Sequence, residues 1–412
     1  MRFLLPCLLW ASLIGAPLKV DVNAESALLI NADTGSVLYE KNSRLVLPPA
    51  SITKVATALY ALKLRKTQLD EPITASSDAI GTVTVEAKRK SNYTLSPWWL
   101  EPGSAHIGIK KGEILTFKDL LYGMMLASGD DASNVIAEWA GGSIPAFMKG
   151  MNDYIKSLGC QNTQFMNPHG LYHPDHKTCA ADMAIIMREA LKDPEFRKII
   201  KTVTYTRPKT NKQEANTLVQ TNRLLRPGPF YYSKTIGGKT GYIQAAQNTF
   251  VVAAQDKGRT LIAVLMKDKE RADLWRDSIK LFEAAFSQSL VEKVFLKKGV
   301  QKFSLNKENF REPLETYTKE DLSLSYYPAE EPKAKGFIFW DNVRAPIQKD
   351  EKVGEFRIVD DKNQVLKSVP LYASKTVKAT WLESLFSPMS LLILAIVLVC
   401  GYFVFNRFKK SY

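Results

Sequence analysis

Two strand-turn-strand patterns, one near each end of the first 270 or so residues, enclose a long helical stretch, and this constrains the fold more than anything else in the chain. Ala27-Leu28-Leu29-Ile30 and Ser36-Val37-Leu38-Tyr39 flank an Asn/Asp/Gly loop at 31–35 and read as a hairpin. Phe250 to Ala254 and Leu261 to Met266, joined through Asp256-Lys257-Gly258-Arg259, read as a second. Between them, Val55, Leu59 and Leu62 share one stripe of a helix that begins after Pro48-Pro49. Thr116 with Asp119 resembles a capping box, ahead of a helix that buries Phe117, Leu120, Leu121 and Met124. A further helix is expected from Ala132 to Ala140, stopping at Gly141-Gly142. Arg271 to Phe286 returns to helical spacing, with Ile279, Phe282 and Phe286 on one side. Strands at both ends with helices between predict an α/β (α+β) domain with a mainly antiparallel sheet.

From about residue 290 the texture changes. Val294-Phe295-Leu296, Gly336-Phe337-Ile338-Phe339 and Phe356-Arg357-Ile358-Val359 alternate with charged turns and predict a small all-β domain. The 412 residues thus divide into a domain at 25–288, a β-rich domain at 289–376 and terminal segments. Residues 1–24 read as a signal peptide: Arg2, an apolar stretch from Phe3 to Ala16, and small residues at Val22-Asn23-Ala24 before Glu25. Ala16, followed by Pro17, is the other cleavage candidate, and an uncleaved anchor is the alternative to both. Residues 377–412 read as a membrane anchor, with a span at about 387–405 containing the uncharged run Met389 to Phe405. Arg407, Lys409 and Lys410 follow at once, which predicts a short cytoplasmic tail by the positive-inside rule. A leader and a terminal span together place the folded domains in the bacterial cell envelope, outside the cytoplasmic membrane.

The formal charge of +14 raises the question of nucleic acid. Lys and Arg are scattered, however, with no arginine-rich run, so no nucleic-acid partner is expected. A basic exterior suits an anionic wall or lipid surface. Cys7 leaves with the leader and Cys400 lies in the span; Cys160 and Cys179 are either a disulfide, which the compartment permits, or two buried thiols. His169, His173 and His176 lie near Asp175, but Gly170 and Pro174 interrupt any helix, so no two ligands share a face and no metal is expected. Trp98-Trp99 reads as packing before it reads as a sugar platform.

Three short motifs occur in order: Ser51-Ile52-Thr53-Lys54 at a helix start, Ser128-Gly129-Asp130 after the second helix, and Lys239-Thr240-Gly241 at the start of a strand. Residues three apart at a helix start share one face, so Lys54 can reach the Ser51 hydroxyl. A serine hydroxyl needs a neighbouring base to become a nucleophile. A lysine is such a base only when burial or nearby positive charge depresses its pKa, and Lys239 supplies charge if it lines the same cleft. Helix N-terminal N–H groups offer a place for an oxyanion.

Together the three motifs form the signature set of β-lactamases and penicillin-binding proteins. The chain resembles the low-molecular-weight penicillin-binding proteins, specifically the serine-type D-alanyl-D-alanine carboxypeptidases of the S11 kind. The segments Pro49 to Lys54, Ser128 to Ala132, His169-Gly170-Leu171 and Gly238 to Tyr242 carry that likeness, with Ala345-Pro346, Val353-Gly354 and Val369-Pro370-Leu371 in the β-domain.

The resemblance implies a penicillin-binding transpeptidase/β-lactamase-like catalytic domain and no cofactor. The implied substrate is a peptidoglycan stem peptide ending in D-Ala-D-Ala, with β-lactams as inhibitors. Ser51 is then the acylated nucleophile, Lys54 its base and Ser128 the proton relay to the leaving D-alanine. Lys239 and Thr240 hold the terminal carboxylate, Gly241 lets the substrate backbone approach, and N–H groups of Ser51 and Tyr242 form the oxyanion hole. Asp130 departs from the family's usual asparagine. An ionised carboxylate only accepts hydrogen bonds, and Asp130 is expected either to pair with Lys54 or Lys239, or to stay neutral or shift substrate preference. The arginine that the family often carries after its last strand has no secure match here; Arg271 and Arg276 are the two candidates. A D,D-endopeptidase uses the same residues, and a weakly active penicillin-binding scaffold is the non-enzymatic alternative. A class A β-lactamase additionally needs a deacylating glutamate motif between Ser128 and Lys239, which is missing.

Overall fold

The computed structural model describes residues 18–380, 392–393 and 395–402. They form two compact units, the first ending at Gln288 and the second beginning at Ser289.

The first unit opens with strands β1 (Ser26–Asn31) and β2 (Val37–Lys41), then helix α1 (Thr53–Arg65). Short strand β3 (Pro72–Thr74), helix α2 (Val85–Lys90) and strand β4 (Ile114–Thr116) follow. Helices α3 (Phe117–Leu126), α4 (Asp130–Gly141), α5 (Ile144–Ser157), α6 (Ala180–Ala190) and α7 (Pro194–Lys201) form the helical body. After the small hairpin β5 (Thr204–Arg207) and β6 (Asn216–Val219) come β7 (Thr235–Ile243), β8 (Gln247–Asp256), β9 (Arg259–Asp268) and α8 (Arg271–Phe286). The main sheet has the order β2-β1-β9-β8-β7, and every neighbouring pair is antiparallel. Both predicted hairpins are present, and the β1–β9 pairing welds them into one sheet.

Strands β8 and β9 are buried along nearly their whole length because helices cover both faces. Val251, Ala253, Ile262 and Val264 join the helical core on one side. On the alternate side Phe250 meets Trp275 of α8 edge-on at 5.0 Å. Thr116 and Asp119 form the predicted capping box at the start of α3. Helix α4 ends where Gly142 takes φ +77°, a left-handed conformation that glycine adopts without a side-chain penalty.

Residues 18–24 belong to this unit, so the expected boundary at 24/25 falls inside packed chain. Leu18, Val22 and Ala24 are buried. Leu18 N–H donates to Leu38 O at 3.0 Å, Lys41 Nζ to Val22 O at 2.7 Å and Asn23 N–H to Asp277 Oδ2 at 2.5 Å. The segment covers the open edge of β2, which would otherwise present unpaired backbone groups. Residues 1–17 of the expected leader lie outside the described residues. Cys160 and Cys179 are free, buried thiols.

The second unit is all β. It holds a two-stranded sheet of β10 (Val291–Leu296) with β13 (Leu322–Tyr326). A five-stranded sheet, in the order β11-β12-β16-β15-β14, adds β11 (Gly299–Leu305), β12 (Leu314–Thr318), β14 (Lys335–Trp340), β15 (Lys352–Val359) and β16 (Val365–Ala373). Phe310, Leu314, Ile347, Ile358, Leu371 and Val377 sit in its core. The unit continues past residue 376: Val377 bridges Ile347, Ala379 bridges Phe310, and Thr380 N–H donates to Asn309 O at 3.1 Å. Of the expected span at about 387–405, residues 392–393 and 395–402 are helical and exposed, and the remainder lies outside the described residues. Among the described residues, no helix is long and apolar enough to cross a membrane.

Candidate active site

Ser51 lies in a single 3-10 turn, Ala50–Ile52, that leads directly into α1, so the hydroxyl and Lys54 share a face one turn apart. Lys54 is fully buried, and Nζ reaches three acceptors: Ser51 Oγ at 2.9 Å, Asp130 Oδ1 at 2.6 Å and His169 O at 2.8 Å. An ammonium satisfies all three with its three protons. A neutral amine has only two N–H bonds, so one partner must then donate to it; with Asp130 ionised, Ser51 is the one of the three with a hydroxyl to give. The geometry is that of a base poised on a nucleophile. Burial pushes the Lys54 ammonium down from its usual range, against the opposing pull of Asp130.

Asp130 is the first residue of α4, and burial pushes its carboxyl up, against Lys54 and a hydrogen bond from Ser104. Of the two lysines considered as its partner, the direct contact is with Lys54. Lys239 bonds elsewhere: Nζ donates to Ser128 Oγ at 3.0 Å and to Thr240 O at 2.8 Å. Burial, followed by the charge of Lys54, holds Lys239 well below the ordinary lysine range. Because Ser128 Oγ accepts from Lys239, its own O–H remains to donate. Ser128 takes φ +64°, an uncommon conformation for a residue with a side chain and the kind of strain that clusters at working sites.

Lys239, Thr240 and Gly241 occupy the middle of β7 and not its start. The glycines before the motif are there for close packing: a Cβ on Gly237 would lie 2.5 Å from the Ile200 side chain, and one on Gly238 2.4 Å from Val251 O. A Cβ on Gly241 would lie 2.7 Å from Ser51 N, so this glycine lets β7 pass against the serine's backbone. Tyr242 is 66% exposed at the mouth. Arg271, at the start of α8, is near enough for its charge to depress Lys239 further. Arg276 instead pairs with Asp273 at 3.0 Å.

Further residues support the site, among them Thr221, which had no sequence signal. Thr221 Oγ1 lies 2.9 Å from Thr240 Oγ1. Met166 N–H donates to His176 Nδ1 at 3.0 Å, which leaves the proton on Nε2 facing Thr53 Oγ1 at 2.9 Å; Thr53 passes the bond to Ala50 O at 2.9 Å. His169 Nδ1 accepts from Leu171 N–H at 3.1 Å, so Nε2 donates to Trp98 O at 3.0 Å. Burial holds both imidazoles well below their ordinary pKa. Gly170, at φ +101°, passes so close to Ala50 O that a Cβ would lie 2.0 Å from it. Among the described residues, no group of three His, Cys, Asp or Glu side chains is placed to hold a metal ion.

The model of the D-alanyl-D-alanine carboxypeptidase family matches residues 14–270, more than half of the chain. The chain belongs to that family. A second model, of the C-terminal domain of penicillin-binding protein 5, matches residues 294–379, in line with a β unit that runs past 376. The chain is 35% identical over 368 residues to D-alanyl-D-alanine carboxypeptidase DacF of Bacillus subtilis, covering 86% of each. Its fold resembles that of the carboxypeptidase DacD from Francisella tularensis, with a TM-score of 0.62 at 23% identity over 90% of this chain and 97% of that one. A D-alanyl-D-alanine carboxypeptidase from Mycobacterium tuberculosis gives 0.56 at 28% identity, over 67% and 95%. Membership accounts for the order of the three motifs and for the β-domain behind them.

Proposed function

We propose that this chain is a serine D-Ala-D-Ala carboxypeptidase in which Ser51 forms an acyl-enzyme with the penultimate D-alanine of a cell-wall stem peptide. The observation that carries the reading is the 2.9 Å contact between Ser51 Oγ and a buried lysine whose pKa is depressed. As the Ser51 oxygen bonds to the scissile carbonyl, its proton passes to Lys54, whose two N–H bonds stay on Asp130 and His169 O. The N–H groups of Ser51 and Tyr242 face the oxyanion. Ser128 gives its proton to the departing nitrogen and regains it from the proton that Lys54 took, so that both groups end the step as they began, while Lys239 and Thr240, with Arg271 nearby, hold the carboxylate of the released D-alanine. Water then hydrolyses the ester. Penicillin enters the same route and stops at the ester. Incubation with a peptide ending in D-Ala-D-Ala tests the reading: stoichiometric release of D-alanine supports it, and intact peptide after prolonged incubation overturns it.

The Asp130–Lys54 contact makes a specific kinetic expectation. A carboxylate at this distance favours the protonated lysine more than an amide does, so Asp130→Asn lowers the pH at which the base is free. Acylation by penicillin in the variant should be faster by ~10-fold near neutral pH, and the two forms should converge as pH rises. Stopped-flow labelling across pH checks this. A variant slower at every pH would make Asp130 an integral part of the base.

The envelope placement belongs to the same reading. The packing of residues 18–24 supports a leader that ends before Leu18, at the Ala16 site. The span at about 387–405 holds the protein at the membrane with its catalytic unit outside the cytoplasm. Truncation after Thr380 keeps the bridges at Val377 and Ala379 and should release a soluble, penicillin-labelled product. If that product still sediments with membranes after a high-salt wash, the anchor lies elsewhere.

A further inference from the structure

The hydroxyl of Thr240 holds a carboxylate by giving its proton to it, because an ionised carboxylate accepts hydrogen bonds and donates none. That proton has a second destination. Thr221 Oγ1 lies 2.9 Å from Thr240 Oγ1, and of two hydroxyls in contact only one donates across the gap. With the Thr240 proton on the substrate, Thr240 Oγ1 has only lone pairs left for Thr221, and Thr221 is the donor. The pair then forms a one-way chain from Thr221 through Thr240 to the carboxylate, in which each bond polarises the next. With the Thr240 proton turned back onto Thr221, the site presents a bare oxygen, which a carboxylate cannot use.

The backbone holds Thr221 where this chain of bonds needs it. Its N–H donates at 3.2 Å to the carbonyl of Leu126, which ends α3 just ahead of Ala127 and Ser128. Gln220 and Asn222, on either side, are wholly buried. Gln220 N–H donates to Val203 O at 2.8 Å, and its Nε2 to Ile200 O at 3.3 Å. Asn222 Oδ1 accepts from Leu224 N–H at 3.0 Å and so starts the 3-10 turn Arg223–Leu225. Thr240 is equally fixed. It pairs with Phe250 of β8, has 7% of its surface exposed, and its carbonyl accepts from Lys239 Nζ at 2.8 Å. Both side chains are β-branched and stiff. Two fixed hydroxyls leave only the direction of the proton to be set.

We propose that Thr221 is a positioning residue and a determinant of specificity: by donating to Thr240 it turns the Thr240 proton toward the substrate, and so favours a free carboxylate over an ester or amide at the same place. The inference rests on the Ser51 reading above. A carboxylate receives a charge-assisted bond from Thr240, roughly twice as strong as the bond that a neutral ester carbonyl receives. The support from Thr221 is therefore worth more to the acid than to the ester. Thr221 itself touches neither the nucleophile nor the scissile bond in this arrangement; it acts through Thr240.

Acylation by penicillin and by its methyl ester, which differ only at the carboxylate, tests the proposal in the wild type, Thr221→Val and Thr221→Ser. Valine keeps the shape and the backbone N–H but has no hydroxyl; serine keeps the hydroxyl. Release of D-alanine from a peptide ending in D-Ala-D-Ala is followed alongside, and thermal unfolding of each variant reports the fold. The wild type should react faster with the acid than with the ester. Thr221→Val should lower the second-order rate constant for the acid by ~10-fold and that for the ester by about twofold or less, and should raise KM for the peptide more than it lowers kcat. Thr221→Ser should bring the acid-to-ester ratio back to within about twofold of the wild type. Should valine prevent folding, Thr221→Ala repeats the comparison. Equal losses on acid and ester, as expected of a residue that only braces β7 against α3, overturn the proposal. So does a variant without the hydroxyl that loses nothing, a serine variant that behaves like valine, or a wild type that does not distinguish acid from ester. A wild type that is acylated by neither compound and releases no D-alanine strikes the Ser51 reading instead.

Discussion

Replacing Ser51 with alanine should abolish covalent labelling by penicillin and reduce D-alanine release by about a thousandfold or more, the scale expected when a nucleophile is removed from a cooperating set. The structure supplies a serious competitor, which makes the test informative. Ser128 is also bonded to a buried lysine, Lys239, at 3.0 Å, almost the same distance that separates Ser51 from Lys54. Two differences favour Ser51. Its lysine has two further fixed acceptors, so the neutral form is oriented to take the serine's proton. It also stands at the entrance to α1, where unsatisfied backbone N–H groups can meet a developing oxyanion. Peptide mapping of drug-treated wild type should place the adduct on the fragment containing Ser51. An adduct on the fragment containing Ser128, or labelling that survives Ser51→Ala, transfers the nucleophile's role to the other serine.

A comparably large effect is expected far from the nucleophile, in stability. Asp268 ends β9 with 1% of its surface exposed, and neither carboxylate oxygen has a hydrogen-bond partner that meets ordinary geometry. Burial, then the neighbouring charges of Asp277 and Asp273, push its pKa up to about 7; the amide of Glu270 opposes this only weakly. The sign follows from linkage. Below about pH 4 both folded and unfolded chains hold this proton, and the group makes no difference. Between pH 4 and 7 the unfolded chain loses it while the folded chain keeps it, so stability falls as pH rises. Above 7 both are ionised and the full penalty remains. Three pH units at ~1.4 kcal/mol each give a penalty on the order of 4 kcal/mol. Asp268→Asn, which mimics the neutral acid, should recover much of that at pH 8 and almost none at pH 4. Urea unfolding of both forms at pH 4, 6 and 8 measures it, and a gain that does not depend on pH would remove ionisation as the cause.

Local pattern carried a large part of the fold. The capping box at Thr116 and Asp119, helix 271–286 and the β8–β9 hairpin all depend on residues a few positions apart, where periodicity and turn chemistry speak directly. The pairing of β1 with β9 joins residues more than two hundred positions apart. No local signal marks it. Residues 18–24 illustrate a related limit of local pattern: Leu18, Val22 and Ala24 have the apolar and small side chains of a leader, while in the structure they pack at the edge of β2. The site divides in the same way. Ser51 and Lys54 sit one turn apart and were legible from spacing. Asp130's choice of Lys54 over Lys239 depends on where two distant loops meet, as do Thr221 behind Thr240 and His176 behind Thr53. Lys239-Thr240-Gly241 was legible as a motif but misplaced within its strand, since Gly237 and Gly238 look like loop residues until Ile200 and Val251 are seen pressing on them.

The two interior imidazoles carry a consequence for how pH acts on this enzyme. His169 and His176 each accept a backbone N–H at one ring nitrogen and donate from the other, and both rings are buried, which disfavours a second proton. Both stay electrically silent through the whole physiological range. A change in rate between pH 5 and 8 therefore does not report His169 or His176, although histidine is the residue to which a titration in that window is ordinarily assigned.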